Sequence, residues 1–388
     1  MSTLTLPSPP EILADLVGFD STSHRSNLPI AEHIEAILDR PGVRVERMLS
    51  PDGEKVNLIV TVGPEPTADR EGLVLSGHMD VVPAVEPDWK SDPFELVDGG
   101  DRWFGRGSCD MKGSVALAVH LAAAVDSDRL RHPLVLLLTY DEEVGTIGAA
   151  QIAKSWPADR PLPRRAIIGE PTSLEAVRLH KGHARARLTT EGQGAHSGYP
   201  HLGKNAIEPA GRAIAKLSEL RRQLEGETCP NAEHFPEVPW VALNVATVAG
   251  GSAINIVPEK CVVDLGFRVL PGMSADAIYE RIENSLIRVL EGESYRFERG
   301  EQSPPMLLEE DNDLYRDLCA ILGQEKTISA SYATDAGWLQ ELGLDCLLFG
   351  PGTIDVAHKP NEYLPKAEFE RAHEILGQLV ERYCVVRS

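Results

Sequence analysis

The chain has 388 residues, 42% of them hydrophobic and 25% charged, an ordinary make-up for a soluble globular protein and too long for one comfortable core, so two domains are expected. A net charge of −21 argues against nucleic acid or an anionic membrane surface as the main partner, and no apolar run approaches a membrane span. The opening MSTLTLPSPPEILADL has no basic segment followed by an apolar one, so no secretory signal is expected. The six cysteines (109, 229, 261, 319, 346 and 384) are scattered without a CxxC pair, which fits reduced thiols in a cytoplasm.

In chain order, residues 10–24 and 28–40 read as helices, with Ile30, His33, Ile34, Ile37 and Leu38 on one face of the second. Val43–Met48 and Asn57–Val62 read as strands on either side of the turn PDGEK. A strand from Leu73 runs into His78 and Asp80, and the three prolines of PAVEPDWKSDPF mark a surface loop. The glycines between Trp103 and Asp110 let the backbone crowd a site. Ser114–Val125 is a helical crossover into the strand Leu134–Thr139, which ends in Asp141, Glu142 and Glu143. A helix from about Gly148 to Ser155 leads to the strand Arg165–Gly169, which ends in Glu170. Such short apolar runs suit buried strands of a parallel sheet, and open α/β sheets bind ligands outside the carboxyl ends of their strands. His78, Asp110, the Glu142–Glu143 pair and Glu170 are therefore expected on one rim.

After Val177 the pattern changes. KGHARARLTTEGQ alternates as a half-exposed strand does, followed by helix Asn205–Leu224, strands Val241–Val248 and Lys260–Val269, helix Ser274–Leu290 and strand Tyr295–Arg299. This β-α-β-β-α-β order is that of a ferredoxin-like domain. From Pro304 the α/β character returns, with helix Asp311–Leu322, strand Asp345–Phe349 and helix Pro365–Val385. The chain therefore reads as an α/β catalytic domain, 1–179 and 301–388, with a small α+β domain, 180–300, inserted into it.

Taken singly, these polar residues have bland readings. HxD can be a surface histidine beside an aspartate, with Asp80 accepting from the distal nitrogen of His78 if the two share a face. Asp110 can be a turn aspartate, and consecutive glutamates are common on surfaces. Cys109 would need an activating base in reach to be a nucleophile. Side by side, however, Glu142 and Glu143 repel one another, and a cation resolves that repulsion by taking one carboxylate and leaving the other free to carry a proton. With Glu170 and His358 the ligand set reaches five, a mixture of imidazole and carboxylate that suits zinc, with cobalt or manganese able to substitute.

GHMDVVP, SCDMKG, TYDEEVG, IIGEPTS, GQGAHSG, FRVLPG and AHKPNEY resemble the motifs of the di-zinc aminoacylase, deacylase and carboxypeptidase family, in order from about residue 10 to the C-terminus. VRLHKGHARARLTTEGQGAHSG, NIVPEKCVVDLGFRVLPGM and LLFGPGTIDVAHKPNEY are most similar to the branch that deacetylates acetylornithine. The resemblance implies a zinc-peptidase-like three-layer domain carrying an inserted dimerisation or lid domain, and two Zn2+ per subunit. Asp110 would bridge the metals, His78 and Glu170 would hold one, and Glu143 and His358 the other. Asp80 would orient His78, Glu142 would be the general base, and the Asp110–Met111 peptide would be cis. His196 would be an oxyanion donor supplied by the partner of a homodimer. Arg268 would clamp the substrate α-carboxylate, with Asn255 near the same end and the backbone of Gly352 lining the pocket. The implied reaction is hydrolysis of an N-acyl amino acid, N2-acetyl-L-ornithine first, releasing ornithine and acetate for arginine biosynthesis. Other N-acyl or N-succinyl deacylases and dipeptidases share every metal ligand, and a binding protein that has lost catalysis is the reading from another class. Retention of Glu142 speaks against the latter, since a binder needs no base.

Overall fold

A computed structural model describes residues 6–385, which form two compact units; the first five residues of the opening stretch lie outside this range. The larger unit takes in the chain up to Arg178, Leu308–Ile328 and the segment from Thr334 onward. The smaller comprises Leu179–Leu307 and Ser329–Ala333. Its far edge lies beyond the expected residue 300. The strand Ser294–Ser303 outruns its apolar part, and Met306–Leu307 then pairs with Leu179–His180.

In the larger unit the strands Leu134–Thr139, Leu73–His78, Arg165–Ile168 and Asp345–Leu348 lie side by side, all parallel. The first two are buried along their whole length, as their unbroken apolar runs require. The sheet is mixed, because Val56–Val62 and Val43–Leu49 extend it antiparallel on one side. Numbered along the chain, the four parallel strands stand in the order 2-1-3-4. The chain thus winds one way from strand 1 to strand 2 and the other way to strand 3. Ligand crevices form at such a reversal, outside the carboxyl ends of strands 1 and 3. Those ends are His78 and Ile168, and Glu170 lies two residues beyond the latter. The helices Pro9–Val17, Leu28–Leu38, Gly113–Ala124 and Lys366–Cys384 contribute Ile12, Leu16, Ile34, Leu117, Ile375 and Leu379 to one continuous core with the sheet.

The smaller unit is a four-stranded antiparallel sheet with spatial order Ala242–Gly250, Lys260–Val269, Gly182–Glu191, Ser294–Ser303. Along the chain that is 2-3-1-4, the ferredoxin-like arrangement. Lys260–Val269 alternates buried and half-buried residues, so one face packs its own core with helices Ile207–Glu225 and Ala275–Val289 while the other stays open. Among the described residues no helix is long and apolar enough to cross a membrane.

Candidate metal centre

Three parts of the larger unit's rim converge. His78 closes its strand, and register places it opposite Thr139, so Glu142 and Glu143 follow just beyond the same edge. Asp110 sits in an irregular helical turn, Ser108–Lys112, whose backbone departs from helical angles at Asp110 and Met111; the Asp110–Met111 peptide is cis. His358 lies on a loop with φ of +60°, a left-handed conformation that a side chain adopts only where its surroundings hold it.

Asp110 is the centre of the geometry. One of its oxygens lies 3.1 Å from His78 Nε2 and the other 3.2 Å from His358 Nε2. Glu143 meets the same His358 nitrogen at 2.9 Å. Two groups result, His78–Asp110–Glu170 and Asp110–Glu143–His358, each with its donor atoms within 4.8 Å of one another. One aspartate shared by two such triads is the disposition of a bridging ligand between two cations.

The electrostatics point the same way. Burial, reinforced by neighbouring carboxylates, pushes Glu142 and Glu170 well above the carboxylate range and Glu143 up to about 7. Burial alone would raise Asp110 too, but hydrogen bonds from His358 and His78 hold it below its ordinary value. Hydrogen bonds to Asp110 and Glu143 raise His358 to about 10. Four carboxylates crowded into one buried site fit divalent cations, which would neutralise their repulsion, and two imidazoles complete a nitrogen–oxygen donor set.

Asp80 corrects one expectation. His78 Nδ1 is 2.9 Å from the main-chain oxygen of Asp80, whereas the carboxylate lies 3.7 Å away, outside hydrogen-bonding range. The carboxylate instead accepts from Ser23 Oγ at 2.7 Å and from the backbone N–H groups of Glu142 (3.0 Å) and Glu143 (3.4 Å). It therefore holds the turn that carries both glutamates. The Gly352 backbone is hydrogen-bonded at both ends: its N–H donates to Glu368 and its oxygen accepts from Ser173. A Cβ there would meet Cys109 Sγ at 2.4 Å, which explains the glycine without a substrate. Cys109 is buried, and burial raises its thiol well above the ordinary range, leaving it inert.

Three further residues, Glu362, Ser23 and Asp335, stand at the site without having been among the candidates above. Asp335 is buried, accepts from Thr139 Oγ1 at 2.5 Å, is raised to about 6 chiefly by burial, and among the described residues its other oxygen has no hydrogen-bond partner. Nothing in periodicity marks these three; the run from His358 to Glu362 in AHKPNEY was the available signal for the first.

The remaining candidates belong to the smaller unit. His196 and Ala195 pair with Ile256 and Val257 in a two-residue ribbon, and Ser197 donates to the carbonyl of Asn255, so His196 and Asn255 share one exposed tip. Gly198 N–H donates to His196 Nδ1 at 3.0 Å, which places the neutral ring's proton on Nε2 and makes that nitrogen the donor. Arg268 stands on the open sheet face, lining a cavity of about 770 Å3 with His183, Arg185, Asn244 and Gly266. Burial, and then the charge of Arg185, lower the Arg268 pKa.

The profile described as Peptidase family M20/M25/M40 matches residues 74–382. An acetylornithine deacetylase from Myxococcus xanthus is 34% identical over 391 residues, covering 98% of both chains. A solved M20-family metallo-carboxypeptidase from Sulfolobus solfataricus is similar with a TM-score of 0.76 at 17% identity, over 97% of this chain and 99% of that one. A dinuclear metal-binding M20 peptidase from Bacillus subtilis has a TM-score of 0.66 at 14% identity, over 96% of each. Likeness at such identities is likeness of fold. The family profile, spanning most of the chain, and the near-full-length relative carry the assignment: the chain belongs to peptidase family M20/M25/M40.

Proposed function

We propose that the chain is a zinc-dependent hydrolase that removes the N-acyl group from an N-acyl amino acid, with N2-acetyl-L-ornithine as the first substrate. The observation that carries this is Asp110, whose two oxygens face His78 and His358 in two separate ligand groups beside the unligated Glu142. The choice of substrate is supported by relatives at about one-third identity, the acetylornithine deacetylases of Myxococcus xanthus and Proteus mirabilis.

Asp110 would hold both ions, His78 and Glu170 one, and Glu143 and His358 the other. When bound, such a pair polarises the scissile carbonyl and lowers the pKa of water enough to supply hydroxide at neutral pH. Glu142 takes the proton from the attacking water and delivers it to the departing nitrogen, so the product leaves as an amine. Asp80, by accepting the Glu142 and Glu143 N–H groups, keeps the base and the ligand in fixed relation. Arg268 receives the substrate α-carboxylate in two parallel hydrogen bonds, with Asn255 close to that end. His196 offers Nε2–H to the developing oxyanion across a homodimer.

The dimer reading is supported by the strand Ala242–Gly250. It is an edge strand of the small sheet, with Val248 54% exposed, and Ile254, Ile256, Tyr199 and Leu202 are exposed in the same unit. A free edge is a template on which another chain can pair, and exposed apolar side chains beside it favour such pairing. A second reading, an N-succinyl deacylase, is favoured by Arg185, which lines the same cavity as Arg268 and whose charge lowers the Arg268 pKa.

Metal-free protein, reloaded with Zn2+, Co2+ or Mn2+ and assayed on N-acetylornithine, N-acetylcitrulline and N-succinyl-diaminopimelate, tests the proposal. Cation-dependent turnover fastest on N-acetylornithine is expected. Full activity after chelation, or no turnover of any N-acyl amino acid with metal bound, would overturn it.

A further inference from the structure

We infer that Glu362 is a positioning residue for the metal centre: its buried carboxylate locks the Asp110 turn to the His358 loop, so that both cation groups depend on it. The inference rests on the di-metal reading above. Oε1 of Glu362 accepts from the N–H groups of Cys109 (2.9 Å) and Asp110 (3.0 Å), while Oε2 accepts from Gly107 N–H (3.1 Å) and Arg106 Nη1 (2.9 Å). Its main-chain oxygen takes the N–H of Gly105 at 3.0 Å. Glu362 and Arg106 are each only 1% exposed.

The turn needs such an acceptor. Its backbone breaks from helical angles at Asp110 and Met111, directly before the helix Gly113–Ala124. The N–H groups at such a helix entry have no helical partners, and an anion satisfies them. Glu362 does so from a loop that also carries His358 four residues earlier, and that loop is anchored by Asn361 to the carbonyl of Asp88 and the N–H of Lys90. The turn has little room to rearrange: at Gly107, with φ of +78°, a Cβ would meet Val81 at 2.5 Å. The four groups hydrogen-bonded to the Glu362 oxygens are all donors, so a group that accepts at both oxygens fits, even though burial and the nearby Asp110 carboxylate raise its pKa. A glutamine would aim an N–H2 at one pair of those donors. Asp110 belongs to both ligand groups, so displacing its turn must weaken both, whereas losing His358 touches one.

The test is calorimetric titration of metal-free wild-type, Glu362→Gln and His358→Ala proteins with Co2+, with the visible spectrum of the bound ion as a second readout. Wild type should take two ions per chain. Glu362→Gln should bind both about 10–100-fold more weakly, the usual effect of losing a ligand's supporting partner. His358→Ala should weaken one. A core truncation away from the turn, Leu379→Ala, should lower the thermal midpoint and leave both affinities unchanged, which separates positioning from general loosening. If Glu362→Gln does not fold, Glu362→Asp, which keeps the charge but withdraws the oxygens by one bond, should show the same paired weakening. Two ions bound by the variant as tightly as by wild type, or weakening confined to one, would overturn the inference alone. Fewer than two ions in wild type would overturn the metal reading and this inference with it.

Discussion

Glu142 and Glu143 are adjacent in sequence, yet only Glu143 meets a ligand histidine, at 2.9 Å from His358 Nε2. Glu142 has its backbone on Asp80, and among the described residues its carboxylate meets no ligand histidine. Glu142→Gln should therefore lower kcat by about 10²–10⁴-fold with little change in KM. Metal analysis should still find two ions; loss of an ion with the activity would make Glu142 a ligand rather than a base. Arg268→Lys is expected to raise KM roughly 10–100-fold for substrates with an α-carboxylate, because a point charge cannot replace two parallel hydrogen bonds. Amides lacking that carboxylate should be turned over equally by both proteins, and an equal loss on them would remove Arg268 from substrate binding. At this scale the gathering of His78, Asp110, Glu143, Glu170 and His358 into two candidate groups was legible in part because His78, Glu143 and Glu170 follow apolar runs and Asp110 sits in a glycine turn. The misreading of Asp80 has a plain cause. The rule that residues i and i+2 share a face holds within a strand, and the strand ends at His78 itself. Glu362 left no periodic trace, because its partners are backbone N–H groups more than 250 positions away in the chain, as for Cys109 at 253.

Elements were read best where the pattern was longest. Leu134–Thr139 and Lys260–Val269 have the expected bounds, while the first helix stops at Val17, well short of residue 24. Gly18 ends it, and the residues beyond turn back to the site: Ser21 Oγ donates to the carbonyl of Met79, Ser23 to Asp80, and Thr22 bridges Val81. A polar stretch that reads as a helix end is thus part of the support under the glutamates. The antiparallel flank formed by Val43–Leu49 and Val56–Val62 was hidden for a different reason: strand sequence carries burial but not direction. The ribbon holding His196 is only two residues long, below any pattern. Its exposed tip and the free edge of Ala242–Gly250 make a prediction about assembly. Val248→Lys should convert a dimer to folded monomers in sedimentation and lower activity in parallel, since a charge on an apolar edge opposes pairing. Mixed chains test the donor itself. Glu142→Gln and His196→Ala proteins, each nearly inactive, should regain roughly a quarter of wild-type activity when dissociated and reassociated together, because one site in each mixed dimer is complete. No recovery from mixed dimers would place His196 outside the partner's site.

For the whole molecule, the raised buried acids of the larger unit and the lowered buried histidine of the smaller one pull stability in opposite directions as pH changes. In the larger one, Glu143 is raised to about 7 and Asp335 to about 6, chiefly by burial, so the metal-free fold holds their protons more tightly than the unfolded chain does. That stability is fully present below about pH 4 and is lost as pH rises through those values. His358, raised to about 10, acts in the same direction further up the scale, above its ordinary value of 6.5. In the smaller unit, burial lowers His180 to about 4, so the unfolded chain takes up the proton first and stability is lost as pH falls from about 6.5 toward 4. Thermal unfolding of metal-free protein should accordingly show a larger-unit transition that moves down between about pH 4.5 and 7, and a smaller-unit transition that moves up over nearly the same range. Cations should reverse the first trend alone. They bind ionised carboxylates and neutral imidazoles, so their affinity grows as pH rises, and at 100 times Kd one bound ion adds about 2.7 kcal/mol, on the order of 5–10 °C in the midpoint. Zn2+ at pH 7 should therefore shift the larger unit's transition upward and leave the smaller unit's in place. A smaller-unit shift of the same size, or a larger unit that gains stability with pH while free of metal, would show that the buried carboxylates are not what the cations neutralise.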